Sequence, residues 1–367
     1  MADMRFESLK YRNFRNIGSL EFNTSASDVV LEGVNGQGKT NILESIYALS
    51  YGSSFRTQNF REMIAFGQSE MFLSGVVLTD DGDRRLIEYS IRDGKREIFL
   101  DGKKIQDRKE IIYSFPCIVF SHEDIDFIKG EPENRRRFFD QTFSMFDPAY
   151  LDELRRYRLI LNQRNAALKN GQYSLIPLYD GRLALYGLNI MNARRQGIEG
   201  FNSLFSALYK KISRTEKNLT INYQPSWKDL DSIDDIISYL DSTRERDIKM
   251  NTTTSGIHRD RFTVYDEMGP FVQTGSTGQV RLASLLFRVA EARYFTEKTR
   301  KYPILLLDDV LLELDTVKRA SFLNELSGYS QAFYTFLPRE NYFDGSEKTV
   351  LRYIVKEGKV ENAAEAN

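Results

Sequence analysis

Residues 33–40 read Gly33-Val34-Asn35-Gly36-Gln37-Gly38-Lys39-Thr40 and fit G-x-x-x-x-G-K-[ST], the pattern of a phosphate-binding loop. The preceding run, residues 28–32, is short, β-branched and apolar, as a buried strand would be. After the loop, Ile42, Ile46 and Leu49 recur on one helical face. A strand that enters a glycine-rich turn at a helix N-terminus directs several backbone N–H groups at one point, where the helix dipole favours an anion. The sequence therefore predicts binding of a nucleoside triphosphate.

Each residue type in this loop has a predicted role. Gly33, Gly36 and Gly38 let the backbone curl around phosphate without Cβ clashes. Lys39 would reach the β- and γ-phosphates, and the Thr40 hydroxyl would bind Mg²⁺.

Composition limits the class of protein. A chain of 367 residues predicts two lobes or domains, and its net charge of −1 means that any DNA site must be a local basic patch. One cysteine, Cys117, and two histidines exclude a disulfide framework and a structural zinc site. No apolar stretch approaches the roughly 18 residues of a membrane span, so we expect a cytoplasmic protein without a membrane partner.

The first third of the chain is predicted to be rich in strands. Residues 4–22 alternate apolar and polar side chains, which indicates two short strands, and residues 115–120 form a buried strand. Arg15, in the connection between the first two strands, either faces a bound nucleotide or is an exposed loop arginine. Residues 71–105 are predicted to form an antiparallel sheet because three Asp-Gly turns divide them, at Asp81-Gly82, Asp93-Gly94 and Asp101-Gly102.

A mostly helical region follows from Pro132. Apolar seams over residues 150–168 and 183–212 predict an antiparallel helical hairpin, broken at Asn170-Gly171 and Pro177. Residues 218–223 are predicted to form a strand, and 232–250 one helix. Lysine and arginine crowd residues 155–169 and 194–217, where we expect any DNA-binding groove.

A second group of motifs lies near the other end of the sequence. The apolar run at residues 303–307 ends in Asp308 and Asp309. Asp308 would act on the magnesium side, and Asp309 would orient an attacking water, although alone such a run could also end in a helix N-cap. Ser276-Thr277-Gly278-Gln279 opens a helix and is a second potential anion site. Its distance in sequence from the loop suggests that Ser276 and Gly278 touch the γ-phosphate held by Lys39 of another copy.

Taken together, these motifs resemble the RecF family of ABC-type ATPases that maintain DNA. Besides the loop, the double aspartate and the Ser-x-Gly-Gln turn, the resemblance covers Glu313-Leu314-Asp315 and Gly256-Ile257-His258-Arg259-Asp260. It also includes the following segments: Asn13-Phe14-Arg15-Asn16, residues 120–124, Lys129-Gly130, residues 135–138 and residues 162–166.

The resemblance implies an α/β ABC-type ATPase head with flanking antiparallel β-structure and an inserted helical lobe, like SMC heads without the long arm. The implied boundaries are residues 1–125 and 251–367 for the head and 126–250 for the lobe. It further implies an ATP-dependent homodimer that binds double-stranded and gapped DNA at single-strand gaps, hydrolyses ATP slowly, and helps RecA loading with RecO and RecR.

The resemblance also assigns individual residues. Lys39 and Thr40 hold phosphate and Mg²⁺, and Asp308 and Asp309 act as argued above. Glu123 falls where related ATPases place a metal- and water-sensing glutamine, which implies a catalytic and metal-binding role. Ser276, Gly278 and Gln279 act in trans, and Asp315 belongs to the loop that couples the two sites. His258 contacts the γ-phosphate side or simply packs in a turn. Further ATP contacts are implied for Arg15, Asn16, Asn35, Gly36 and Asn41.

The chain departs from the family pattern at Ile257, Arg261, Thr277 and Leu312, and residues 331–336, in the place of the switch segment, contain no histidine. The motifs also bear on two other classes of protein. A transport ATPase subunit is disfavoured by the helical insertion and the missing switch histidine. A small-molecule P-loop kinase is disfavoured by the second anion-binding turn before a double aspartate.

Overall fold

The computed structural model describes residues 4–326, 328–338 and 349–364. The chain divides into two compact units, which we call the discontinuous unit (residues 1–124 and 295–367) and the inserted unit (residues 125–294). The inserted unit runs well past the predicted boundary at residue 250. The reason is that the strand after His258 pairs with an earlier strand of the same unit, and Phe287 and Tyr294 pack in its aromatic core.

The discontinuous unit contains most of the strands. Its elements are β1 (Arg5–Phe14), β2 (Ile17–Asn23), β3 (Asp28–Glu32), α1 (Lys39–Tyr51), β4 (Met71–Leu78), β5 (Arg84–Arg92), β6 (Lys95–Leu100), β7 (Lys103–Lys104), α2 (Lys109–Ser114) and β8 (Cys117–Phe120). Its second segment carries further elements, numbered after those of the inserted unit.

The inserted unit is mainly helical with a small sheet. Its elements are α3 (Pro132–Ser144), α4 (Pro148–Lys169), α5 (Ile176–Ser213), β9 (Thr220–Gln224), α6 (Ile233–Ser242), α7 (Arg244–Met250), β10 (Arg261–Asp266), β11 (Gly269–Pro270), α8 (Phe271–Thr274) and α9 (Thr277–Thr299). The chain returns to the discontinuous unit within the last turns of α9, at residue 295. The elements that follow are β12 (Ile304–Leu307), α10 (Thr316–Glu325), β13 (Gln331–Phe336), β14 (Val350–Lys356) and β15 (Lys359–Asn362).

The main sheet of the discontinuous unit positions the site. Its strand order is β15-β14-β3-β13-β12-β8, and all neighbours are parallel except β14 and β15. Because parallel strands end at a common edge, the loop after β3 and Asp308 after β12 meet there, where α/β sheets bind ligands. β3 and β12 are buried, largely apolar strands, as the sequence predicted, and β13 is buried along its whole length although it carries Gln331 and Thr335.

An antiparallel sheet completes the unit, in the order β2-β1-β4-β5-β6-β7. The predicted Asp-Gly hairpins are confirmed. Asp93-Gly94 and Asp101-Gly102 have positive φ at both residues, as a two-residue type I′ turn requires. Helix α1 contacts strands of both sheets, and its apolar face shares one buried core with them.

In the inserted unit, α4 and α5 form the predicted helical hairpin. Pro177 does not lie in the break but in the first turn of α5, where proline removes no helical hydrogen bond. The single helix predicted over 232–250 is wrong because it divides at Thr243, whose hydroxyl and N–H both donate to the Tyr239 carbonyl. Across residues 4–326, 328–338 and 349–364, no helix is long and apolar enough to cross a membrane.

Two arginines in the regions predicted to form a basic groove are fully buried. Arg164 pairs with Asp180 and Asp247 at 2.7 Å each. Arg194 pairs with Asp140 and Asp260, also at 2.7 Å each. Because buried guanidinium groups need carboxylate partners, these side chains hold the inserted unit together and are not accessible to DNA.

Candidate nucleotide-binding site

The phosphate-binding loop depends on glycine at two points of close approach. A Cβ on Gly33 would lie 2.5 Å from the carbonyl oxygen of Val355 on β14. Gly38 has φ +115°, and a Cβ there would meet the Asn16 side chain at 2.8 Å. The loop can therefore turn from β3 into α1 only because neither residue carries a side chain.

Lys39 is buried at the start of α1 and bends back over the loop. Its Nζ donates to the Gly33 carbonyl oxygen at 2.7 Å and lies 3.7 Å from an Asp309 carboxylate oxygen. A buried ammonium needs such partners, and phosphate oxygens could take their place. The cation therefore stands inside the concave side of the loop, where the sequence predicted it.

The two aspartates and two threonines form a compact cluster at the edge of the sheet. The Thr40 hydroxyl donates to Asp308 at 2.8 Å. The Thr335 hydroxyl lies 3.1 Å from a carboxylate oxygen of both Asp308 and Asp309, and it accepts the Asp309 backbone N–H at 2.8 Å. Asp309 has φ +52°, a left-handed conformation that aspartate tolerates better than most residues. The structure thus brings together Lys39, Thr40 and both aspartates from distant parts of the sequence.

Burial raises the pKa of Asp308, and the neighbouring Asp309 carboxylate raises it further, whereas the hydrogen bond from Thr40 lowers it. Two carboxylates at one strand end repel each other, so a cation placed between Thr40 and Asp308 would be favoured electrostatically.

A network of amides fixes the loop from outside. Asn41 donates to the Asn16 side chain at 2.7 Å, and Asn16 donates to the Gln37 carbonyl oxygen at 3.0 Å. At the tip of the β14–β15 hairpin, the backbone N–H of Glu357 donates to the Gln37 side chain and that of Gly358 to its carbonyl. Asn16 and Asn41 therefore position the loop, and Asn35 is exposed at its rim.

The Arg15 side chain is bound by protein groups, and its contact with a nucleotide stays a prediction. Its guanidinium forms a bidentate pair with Glu44, at 2.6 and 2.9 Å, and donates to the Glu62 carbonyl. The Glu44 side chain is fully buried on α1 and needs this partner. Arg56 also reaches Glu44, at 3.2 Å, and donates to Asn41 at 2.7 Å. Arg15 consequently supports α1 from behind the loop.

Glu123 lies exposed in the 3-10 helix His122–Phe127, just after β8. Because β8 is the neighbour of β12, this helix begins at the same sheet edge as Asp308, whose N–H donates to the Phe120 carbonyl. The position suits a sensing role, which stays a prediction.

The Ser-x-Gly-Gln turn of the inserted unit is a capping box. The Ser276 backbone N–H donates to the Gln279 side chain at 2.9 Å, and the Gln279 N–H donates to the Ser276 hydroxyl at 3.3 Å. Ser276 and Gly278 are exposed at the N-terminus of α9. The side chains of Ser276 and Gln279 thus cap their own helix, and an exposed N-terminus remains for an anion.

His258 has both ring nitrogens engaged within the inserted unit. Nδ1 pairs with the Tyr157 hydroxyl at 2.9 Å, and Nε2 lies 3.1 Å from the Thr253 carbonyl oxygen. Burial lowers the pKa of His258 to about 4, so the ring is neutral at pH 7. Of the two alternatives, the structure favours packing in a turn over a contact with the γ-phosphate.

The donor set fits a magnesium nucleotide. Among the described residues, no group of three or more His, Cys, Asp or Glu side chains could hold a metal ion by itself. Mg²⁺ usually takes one or two protein oxygens and completes its shell with phosphate and water. The Thr40 hydroxyl and the Asp308 carboxylate are such oxygens, and Gly33 and Gly38 let the loop pack closely against Val355 and Asn16.

Sequence reasoning missed three parts of this site. Thr335 lies in the switch segment, and only its hydrogen bonds to Asp308 and Asp309 show that it belongs to the site. Glu44 lies within the apolar pattern of α1, which gives no indication that its carboxylate is buried and paired with Arg15. The Glu357–Gly358 turn is far from the loop in sequence. Its sequence predicts a turn but does not indicate that the turn contacts Gln37.

These features together define the head of an ABC-type ATPase. They are a phosphate-binding loop, a strand ending in paired aspartates, a flanking antiparallel sheet, and a helical insertion that ends in a capped Ser-x-Gly-Gln turn. Residues 5–361 match the family model described as RecF/RecN/SMC N terminal domain. The chain belongs to this family, in its RecF branch.

Known relatives are similar in sequence to this chain over nearly its whole length. The DNA replication and repair protein RecF of Treponema pallidum (strain Nichols) is 39% identical over 348 residues, which cover 94% of this chain and 98% of that protein. RecF of Clostridioides difficile (strain 630) is 34% identical over 97% of this chain and 98% of its own.

Solved structures confirm the predicted fold. The recombination mediator protein RecF with ATP, of the RecFOR pathway, superposes with a TM-score of 0.89 at 29% identity, covering 98% of each chain. An SMC head bound to the C-terminal winged-helix domain of ScpA has a TM-score of 0.57 at 17% identity over 98% of each chain, which supports the fold alone.

Proposed function

We propose that this chain is an ATP-gated DNA-binding protein of replication and repair, and that it acts at single-strand gaps. The observation that carries the proposal is the cluster of Lys39, Thr40, Asp308 and Asp309 at one sheet edge. The family adds the kind of work, since the relatives are named DNA replication and repair proteins. We also propose that the protein acts in the cytoplasm.

In this proposal the residues of the cluster divide the chemistry of ATP hydrolysis. Lys39 and the loop N–H groups bind the phosphates, and Thr40 with Asp308 would hold Mg²⁺, which neutralises phosphate charge when bound. The Asp309 carboxylate would accept a hydrogen bond from the attacking water and orient the oxygen of that water toward the γ-phosphorus. Glu123 stands at the same edge to sense metal and water. Asp309 is one methylene shorter than glutamate, which suits slow turnover.

Dimerisation would follow from the second anion site. The exposed N-terminus of α9, at Ser276 and Gly278, would meet the γ-phosphate bound by a second copy, and Gln279 would hold Ser276 in place. Asp315 caps α10 through the Lys318 N–H at 2.9 Å and would couple the two sites. ATP would thus act as a bridge that closes two copies on DNA, and hydrolysis would release them. RecO and RecR are the proposed partners, and RecA loading is the proposed outcome.

The test is sedimentation velocity on Asp309→Asn, with and without ATP and Mg²⁺, followed by addition of gapped duplex DNA. We expect a monomer to become a dimer only with ATP, and DNA to join the dimer. Lys39→Met in the same background should abolish the shift, whereas Lys10→Met, which removes an exposed lysine paired with Glu21, should keep it.

An ATP-bound species that stays monomeric with and without DNA would contradict the bridging role of Ser276. Transfer of phosphate to an acceptor other than water would favour a kinase instead.

A further inference from the structure

The inserted unit contains a large cavity that none of the ATP chemistry uses. Its volume is about 870 Å³, within the range of roughly 300–1,000 Å³ typical of ligand pockets. The walls are formed by strand β9, the start of β10, the 3-10 turn Ile257–Arg259 and helix α7. The charged side chains of its lining are Lys228, Arg246, Arg259 and Arg261, and no carboxylate is among the lining residues.

Three of these cations have no partner. Among the described residues, no hydrogen bond or ion pair holds the guanidinium groups of Arg246, Arg259 and Arg261, and all three side chains are exposed. Lys228 is only loosely paired, with Asp229 at 4.0 Å. Elsewhere in the unit, by contrast, Arg164 and Arg194 are each paired with two aspartates. Unpaired like charges around one cavity repel each other, and a polyanion would relieve that repulsion.

The three arginines are held by independent elements. Arg246 projects from α7, Arg259 ends the 3-10 turn at Ile257–Arg259, and Arg261 begins β10 opposite Gln224 of β9. The turn itself is rigid, because Asp260 is bound by Arg194, Tyr223 and the Ser226 N–H. The charges are therefore presented on a fixed frame.

The uncharged lining distinguishes between polyanions. Asn222 and Gln224 on β9 are exposed amides, which can bond to base edges or phosphates, and Met250 is 62% exposed at the end of α7. Guanidinium groups bind phosphate bidentately. The neighbouring amide and apolar groups can contact bases, so the lining suits a nucleic acid better than an acidic peptide, which offers only carboxylates. A flexible strand can enter a cavity of this size, whereas a duplex can only lie across its mouth.

We propose that this cavity binds a segment of single-stranded nucleic acid, with Arg246, Arg259 and Arg261 on its phosphates. The site is separate from the nucleotide site, and the strand would bind without ATP. The inference rests on the proposed DNA-binding function only for the kind of partner. It assigns the single strand beside a gap to the inserted unit, independently of the ATP bridge.

The experiment measures fluorescence anisotropy of a labelled oligothymidylate of roughly 12 nucleotides, a usual site size, on the full chain without nucleotide. Each of Arg246→Gln, Arg259→Gln and Arg261→Gln should weaken binding roughly tenfold, as expected for a charge-assisted hydrogen bond. Each should also flatten the slope of log K against log salt by about 0.7. The triple variant should lose specific binding.

Lys249→Gln is the matched control, because Lys249 is an exposed cation on the same helix that does not line the cavity. It should change affinity less than twofold, and thermal unfolding should be the same for all variants. Equal losses in the control, or an unchanged triple variant, would overturn the site. An oligoglutamate peptide that binds more tightly than the oligonucleotide at the same salt would overturn its assignment to nucleic acid.

The ATP-dependent dimerisation of Asp309→Asn should persist in the triple variant. A loss of dimerisation in Asp309→Asn alone would contradict the proposed function while leaving the cavity assignment to its own test.

Discussion

Thr335 carries more of the site than its position in an apolar strand suggests. Its single hydroxyl accepts the Asp309 backbone N–H and lies 3.1 Å from both aspartate carboxylates. The N–H bond helps to hold Asp309 in its left-handed conformation, which aims the carboxylate toward Lys39. Since the hydroxyl has one proton, it can donate to only one of the two carboxylates at a time.

Replacing Thr335 by valine keeps the shape of the side chain and removes these bonds. We expect Thr335→Val to reduce ATP hydrolysis roughly tenfold, because a lost hydrogen bond to a charged group costs about 1.5 kcal/mol. ATP binding, measured by calorimetry, should change little, since Lys39 and Thr40 remain. Thr335→Ser keeps the hydroxyl and should retain most activity. If valine hydrolyses ATP as fast as threonine, Thr335 does not position Asp309.

At the scale of elements, the start of α9 combines two tasks in one turn. Ser276 and Gln279 satisfy each other's N–H groups, which stabilises the helix, and the same turn leaves its N-terminus exposed. A change that weakens the helix is therefore hard to tell from one that removes an anion contact, unless the two effects are separated by design.

Two substitutions of Ser276 separate them. Ser276→Ala removes the cap and should lower the free energy of unfolding by about 1 kcal/mol. Ser276→Asp is a good N-cap and should keep stability, but its charge would repel phosphate. Both variants should lose the ATP-dependent dimer in sedimentation experiments, and only alanine should lower the unfolding midpoint. Dimers of the aspartate variant with unchanged ATP dependence would exclude this turn from the interface.

The elements that sequence reasoning predicted well are those fixed by local chemistry. Asp93-Gly94 and Asp101-Gly102 turn where positive φ is required, and the phosphate-binding loop needs glycine at Gly38. The surroundings of Arg15 and His258 depend on Glu44, Tyr157 and the Thr253 carbonyl, partners that no local pattern indicates. The burial of Arg164 likewise depends on Asp180 and Asp247, which lie far from it in sequence and which no local pattern pairs with it.

At the scale of the whole molecule, each of the two units has a core of its own. The discontinuous unit has an apolar core shared by its two sheets and α1. The inserted unit adds buried ion pairs around Arg164 and Arg194 to its aromatic core. Removing one member of such a network leaves opposite charges buried without a partner, so its cost should fall on one unit.

We expect Arg164→Leu to destabilise the inserted unit by roughly 3–5 kcal/mol, because Asp180 and Asp247 would lose their buried counter-charge. Hydrogen exchange should accelerate in α4 and α5, while β3 and β12 keep their protection and ATP still binds. Arg156→Leu, an exposed change on the same helix, should cost under about 1 kcal/mol. Uniform acceleration across both units would show that they unfold as one.

The position of β3 has a consequence for how the protein is made. Its two neighbours in the sheet, β13 and β14, both follow the entire inserted unit in sequence. During translation the phosphate-binding loop therefore emerges early but lacks the strands, the Asp308–Asp309 pair and the hairpin tip that shape it. Such distant parallel pairing forms late and slowly. We therefore expect a nascent chain to bind ATP only after its inserted unit has been made, so that an incomplete protein takes no part in the nucleotide-driven association proposed for the finished one.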